Sequence, residues 1–316
     1  MLPTDAVPDW APAWSLEEHR LFEAALGSAL ANRLAGFTLN AAGIVSISAE
    51  GDRAHAFSSH AIAACCAASG RPESFPAVID QQLDLLLIGL ADNQLAAELD
   101  RDWSRASAHL KIRLYPLAQV ADDLAQLTHR AAGEGLVAVL VYDLPDSLLS
   151  VAPEVAGAWP VHGDALWRQA MANVMNDTPR LFTEPFPDSG GDAVLVSGDD
   201  CLLPTRLLFI ETLLPDGYAP HGLIVAIPHR RALLFQAVGD LPSVRRALRA
   251  LTAGTHRMFH AAGDPVSPSL YWWQPGSLQE IPFTIDAARG TLDVSLPEDL
   301  ISLIEAVASE QPQGGS

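Results

Sequence analysis

Seven successive residues, Leu136-Val-Ala-Val-Leu-Val-Tyr142, carry no charge and no alternation of polar with apolar side chains. A strand with one wet face must alternate, because neighbouring side chains point to opposite sides of the pleat. A run of this kind needs chain packed on both faces and predicts a strand held inside a layered core. Residues 223–227 and 232–238 repeat the pattern on either side of a short polar turn. With 316 residues, 49% of them apolar, the chain is large enough to bury one core or two modest ones.

Around these strands the repeat changes to that of helices. Ser15-Leu-Glu-Glu18 has the order of a capping box, and Phe22, Leu26, Leu30 and Leu34 then recur at every fourth residue. Further helices are expected at about 58–68 and 76–99, over 164–178 with Trp167, Ala170, Met171 and Val174 inward, over 204–214, and from Ser243. Residues 37–39 and 44–48 read as strands around a turn, and 109–115 alternates as a half-buried strand. Leu117, Val120, Leu124, Leu127 and Ala131 fall on one face of a helix. Residues 183–191 read as a loop before a strand at 193–197. The expected class is α+β, with short mixed or antiparallel sheets and segregated helices. A glycine-rich strand-to-helix turn is missing, so no dinucleotide and no other cofactor is expected.

Periodicity lapses between Asp143 and Gly163, which predicts two packed subdomains at 15–150 and 160–308, with flexible ends at 1–14 and 309–316. Nineteen basic against 38 acidic residues give a net charge of −19, and Lys111 is the one lysine. Nucleic acid binding needs clustered cations that release counterions, so this balance argues against nucleic acid and against an anionic membrane surface. No run approaches the ~18 uninterrupted apolar residues of a membrane span. The acidic, proline-rich start lacks the basic-then-apolar order of a secretory signal, and the expected location is cytoplasmic. Cys65, Cys66 and Cys201 are odd in number and are expected as free thiols.

Four segments resemble a bacterial family of unknown function, the YtpQ-like proteins: the strand from Leu136 to Pro145, the helix from Trp167 to Asn173, the strand and turn from Leu223 to Arg230, and Ser269 to Tyr271. In that order they cover most of 16–282. The resemblance implies a cytosolic α+β protein and brings no activity, cofactor or catalytic residue. An acidic residue of that family stands as Arg231 here, so no acid–base role is carried to that position.

Several motifs touch on chemistry. His256 and His260 lie one helical turn apart, the spacing at which two imidazoles share a metal ion, with Asp264 as a third candidate ligand. The helical wheel puts both histidines on the stripe of Arg245 and Arg249, whose cations oppose a divalent ion, and Arg257 stands where a zinc hydrolase carries its general-base glutamate. Asp188-Ser-Gly-Gly191 matches a serine-protease nucleophile segment only in part, because Pro187 replaces a required glycine. Asp192, Asp199 and Asp200 lack the spacing of a calcium loop. Glu211 with Asp216 is a carboxylate pair of the sort that arises at random among 38 acids.

Pro228-His-Arg-Arg231 joins two apolar strands, which predicts an exposed turn offering His229, Arg230 and Arg231 to a carboxylate or phosphate. Tyr271, Trp272 and Trp273 gather three rings in a chain only 7% aromatic, and strand alternation sends Trp272 to the opposite face, so at least one ring is expected near a surface as a binding anchor. The sequence therefore predicts a non-catalytic module of chaperone, adaptor or immunity type that binds a protein or peptide, and that self-associates as a homodimer without metal. The alternative is a metal-assisted or acid–base hydrolase using His256, His260 and Asp264.

Overall fold

The structure is a computed structural model and describes residues 7–8, 10–47, 55–187, 189, 192–214, 219–286 and 291–310. It is α+β, with short antiparallel sheets and separate helices. The chain divides into two compact units, Met1–Leu95 with Pro145–Ser147, and Ala96–Leu144 with Leu148–Ser316. The division falls near Leu95 and not in the 143–163 connection, which carries regular structure of its own.

In the first unit, helix α1 (Leu16–Arg33) starts on the expected capping box. The Glu18 N–H donates to Ser15 Oγ at 3.2 Å and the Ser15 N–H to Glu18 Oε2 at 2.7 Å, a bond that holds the Glu18 carboxyl below its usual range. An antiparallel sheet of β1 (Phe37–Leu39), β2 (Ile44–Ile47) and β3 (His55–Ser58) follows, then α2 (His60–Ser69) and α3 (Phe75–Leu99), whose last turn belongs to the second unit. The core joins Phe22, Leu26 and Leu30 to Val45, Ile62, Ile79 and Leu83. Trp10 and Trp14, expected in a flexible end, are packed: Trp10 stacks on His60 with ring centres 4.6 Å apart, and Trp14 lies 5.1 Å from Phe22. Among the described residues one helical stretch, Pro72–Leu99, is long and apolar enough to cross a membrane by length and a mean hydropathy of 1.2. The stretch is not an uninterrupted apolar run, since Asp80, Asp84, Asp92 and Glu98 fall within it, and the core helix of a folded domain meets the same criterion.

The second unit contains α4 (Trp103–His109), β4 (Leu110–Pro116), α5 (Leu117–Val120), β5 (His129–Gly133), β6 (Leu136–Asp143), β7 (Leu148–Ser150), α6 (Pro153–Ala158) and α7 (Gly163–Asn176). It continues with β8 (Leu181–Pro185), β9 (Val194–Gly198), β10 (Leu223–His229), β11 (Ala232–Ala237), α8 (Leu241–Ala261), β12 (Leu270–Gln274), β13 (Ser277–Ile281), β14 (Phe283–Asp286), β15 (Thr291–Val294) and α9 (Glu298–Glu310). The unalternating run is β6, paired with β4 on one side and with β5 and β7 on the other, and all seven of its apolar residues are buried. The larger sheet has the order β13-β12-β10-β11-β9-β8, antiparallel throughout. Helix α8, capped by Asp240, packs on Ile224, Ala226, Leu234 and Trp272. Gly254 permits that approach, since a Cβ there would stand 2.2 Å from the Phe186 ring.

Three expectations need correction. The helix read through Leu117 to Ala131 is cut short: α5 ends at Val120, a 3-10 turn covers Ala121–Gln126, and His129–Gly133 is β5. Its apolar spacing suits a helix, but Gly135, at φ +68°, turns the chain back so that β5 pairs with β6, and pairing overrides local preference. Residues 183–185, read as loop, belong to β8. Residues 309–310 continue α9, while 311–316 lie outside the described residues.

Strand β4 has one edge on β6, and its other edge is closed by side chains. The carbonyls of Leu110, Ile112 and Leu114 accept from Asn173 Nδ2 at 2.7 Å, Thr205 Oγ1 at 2.8 Å and Arg230 Nη1 at 2.5 Å.

Candidate functional site in the second unit

Strand alternation buries Leu110, Ile112 and Leu114 and turns Lys111, Arg113 and Tyr115 to the other face of β4. Lys111 Nζ sits between the carboxylates of Asp143, at 2.5 Å, and Asp177. Further along, Arg113 and Arg230 meet. The Cζ atoms of the two guanidiniums stand 5.1 and 4.6 Å from the centre of the Tyr115 ring, and both groups approach the carboxylate of Asp264 at 3.6 Å. At that distance the attraction is coulombic and no hydrogen bond is formed.

The backbone fixes this meeting. The loop after α8 returns along β10: the Val266 N–H donates to the Pro228 carbonyl at 2.9 Å, Ser267 to Ile227 at 3.1 Å, and the Arg230 N–H to Asp264 O at 3.3 Å. Between the β10–β11 turn and the end of α8 lies a cleft of about 570 Å³, lined by Cys201, His229, Arg230, Arg231, Met258 and Asp264 among others. Arg230 is 3% exposed, and its Nε and Nη2 have no hydrogen-bond partner among the described residues. Arg113 Nε is in the same state. Buried donors without acceptors are costly, on the order of 1–3 kcal/mol each, so a polar group delivered by a ligand gains by satisfying them.

Burial, and then the neighbouring Arg113, hold Arg230 below its ordinary value, with Tyr115 and Asp264 opposing; the guanidinium stays charged. Burial and then Arg231 lower His229, against Asp264, which leaves a neutral imidazole at pH 7. Its Nδ1 accepts the Arg231 N–H at 3.2 Å, which assigns the ring proton to Nε2. Burial pushes the Cys201 thiol up, helped by Asp200 and Asp143 and opposed by Arg113, so at neutral pH it is a thiol and not the thiolate that attacks.

The structure brings His229, Arg230, Arg231 and Asp264 together but changes their roles. Arg230 is spent on the edge of β4 and is not presented outward as expected, because the turn folds down under the loop after α8. Arg231 is exposed. Tyr271, Trp272 and Trp273 are 2%, 3% and 8% exposed, since β12 lies between β10 and β13; all three are packed into the sheet, and Trp273 also lines a separate cleft of about 410 Å³ with Arg130 and Leu278. Tyr271 Oη shares a hydrogen bond with Ser267 Oγ at 2.7 Å, and Trp272 Nε1 donates to the His221 carbonyl at 3.1 Å.

His256 and His260 lie on the exposed face of α8 with ring centres 4.4 Å apart, while Asp264 is committed to Arg113 and Arg230. Among the described residues no three His, Cys, Asp or Glu side chains are grouped to hold a metal ion, so that triad does not assemble. Asp188, Gly190, Gly191 and Asp216 lie outside the described residues. Ser189 is buried and donates to the Phe186 carbonyl at 2.6 Å. Asp192 pairs with Arg246 at 3.2 Å, and Asp200 accepts the Leu202 N–H at 2.7 Å.

Sequence reasoning named Cys201 only as a free thiol and missed Arg113 and Tyr115. The alternation of β4 already placed Arg113 and Tyr115 on one face, but nothing local to β4 reveals that a turn more than a hundred residues later would meet them. No family model, curated protein or solved structure matches the chain.

Proposed function

We propose that the protein is a non-catalytic binding module that takes a carboxylate of a peptide or protein partner in the cleft beside the β10–β11 turn. The observation that carries this reading is the convergence of Arg113 and Arg230 on one carboxylate, with three buried guanidinium nitrogens left without a hydrogen bond among the described residues. Asp264, 58% exposed and held only at 3.6 Å, marks where an incoming carboxylate would sit, and its side chain, open to solvent, can turn away to yield that place. Exposed Arg231 adds charge at the mouth, which in a chain of net charge −19 makes this a local attraction within a repulsive surround. A thiol without thiolate character and a histidine whose Nδ1 is already engaged support binding over nucleophilic chemistry.

The test is a titration with two peptide pools of the same random sequences, one ending in a free carboxylate and one amidated, read by the side-chain Nε–H signals of Arg113 and Arg230. The free-acid pool is expected to shift both signals. Arg113→Gln and Arg231→Glu are expected to weaken the response about tenfold or more, in line with the loss of a charge-assisted bond. Equal binding of both pools sinks the reading.

A further inference from the structure

We propose that β8 is the contact through which two copies of this chain pair, strand against strand about a two-fold axis centred on Phe182. β8 ends the six-stranded sheet, with β9 on one side and, among the described residues, no strand on the other. The Phe186 N–H donates to the Ala193 carbonyl at 2.7 Å, and the register continues through Glu184↔Leu195 and Phe182↔Ser197. In an antiparallel ladder successive residues alternate between bonding toward the partner and away from it. Phe182 and Glu184 therefore spend their backbone groups on β9, and Leu181 and Thr183 turn theirs outward. Pro179 and Pro185, next along that outward series, have no N–H to offer.

A two-fold centred on Phe182 sets Leu181 opposite Thr183 of the second copy, and the reverse, giving four backbone hydrogen bonds. Centring on Leu181 would oppose Thr183 to Pro179, and centring on Thr183 would oppose Leu181 to Pro185; each also allows four bonds, but only centring on Phe182 makes every bonded pair reciprocal and sets the prolines against each other. The side chains choose the same register. Arg180, Phe182 and Glu184 share one face, so Phe182 meets Phe182 at the close, non-hydrogen-bonded position while Arg180 meets Glu184 twice.

All three side chains are exposed, and Phe182, half exposed, carries the only aromatic ring among the large apolar side chains left in solvent by the described residues. Its ring lies 5.0 Å from the Arg180 guanidinium. Prolines and charges usually protect a free edge from pairing. Here the prolines bracket the two outward residues, and charges of opposite sign on either side of an exposed ring make a second copy of the same strand the complementary partner.

Sedimentation velocity of the full chain over a concentration series tests this, with circular dichroism to confirm folding of each variant. The wild type is expected to dimerise reversibly, and Arg180→Glu and Glu184→Arg each to weaken the dimer about tenfold or more, as like charges replace opposite ones. Mixing those two variants is expected to restore a dimer, because each then supplies the charge the other needs. Thr183→Pro removes an outward N–H and is expected to give monomer. A wild type that stays monomeric throughout, or a dimer that Thr183→Pro and both reversals leave unchanged, overturns the proposal.

Discussion

Arg230 donates from Nη1 to the carbonyl of Leu114 at 2.5 Å, across 116 residues of sequence. A cation from a hairpin turn thus completes the edge of a strand in another sheet, and its neighbour Arg231 stays in water. Two adjacent arginines have opposite environments, and that difference can be measured.

Arg230→Met is expected to lower the stability of the second unit by about 2–4 kcal/mol, since the Leu114 carbonyl loses its donor and Asp264 loses a counter-charge. Arg231→Ala is expected to stay within about 0.5 kcal/mol of wild type, as an exposed substitution. Urea denaturation separates them by midpoint at unchanged slope. Equal midpoint shifts for the two variants would contradict the assignment.

Lys111 carries a prediction about pH. Burial lowers its ammonium, but the hydrogen bonds to Asp143 and Asp177 outweigh burial and leave it above its ordinary value of 10.5. A group raised in the folded state lends stability that is fully present below its unfolded value and is lost as pH climbs through the folded one. Lys111→Met is therefore expected to cost about 2–3 kcal/mol near neutrality, at the low end for a buried pair because both carboxylates keep some exposure. The gap to wild type is expected to hold up to about pH 10 and to close above it. A gap that narrows from neutral pH instead would place the stabilising charge elsewhere.

Gly254→Ala tests the seat of α8. Alanine is the better helix former by about 1 kcal/mol, yet its Cβ would stand 2.2 Å from the Phe186 ring. Overpacking of this kind typically costs about 1–3 kcal/mol, so a net loss of melting temperature is expected. Phe186→Leu in the same chain is expected to recover most of it, and a thermal melt that shows no such recovery would remove Phe186 as the obstacle.

The periodic elements were legible because their signal is local. The capping box at Ser15, the buried run of β6 and the apolar pair β10 and β11 each show in a window shorter than the element, and the α+β class follows from them. What escaped was set by pairing at a distance. Ala131 has helical spacing behind it but becomes strand because β6 is already there to receive it. Thr183 to Pro185 looks like loop because, at the sheet edge, none of these residues is buried. The candidate site followed the same division: His229, Arg230 and Arg231 stood out by composition, whereas Arg113 and Tyr115 gained their meaning only when β4 met the turn. The triad of His256, His260 and Asp264 failed for the converse reason, being close in sequence while Asp264 answers to Arg113 on β4 and Arg230 in the β10–β11 turn.

The seating of Lys111 has one further consequence. It is the chain's one lysine, and its Nζ is held between two carboxylates with the side chain 12% exposed. At a lysine, acetylation, ubiquitin conjugation and amine-directed crosslinking all require a free, accessible ε-amino group, and in the folded protein Lys111 does not offer one. Any such adduct found at that nitrogen records an opening of the second unit, so the rate of acylation there serves as a clock for that motion.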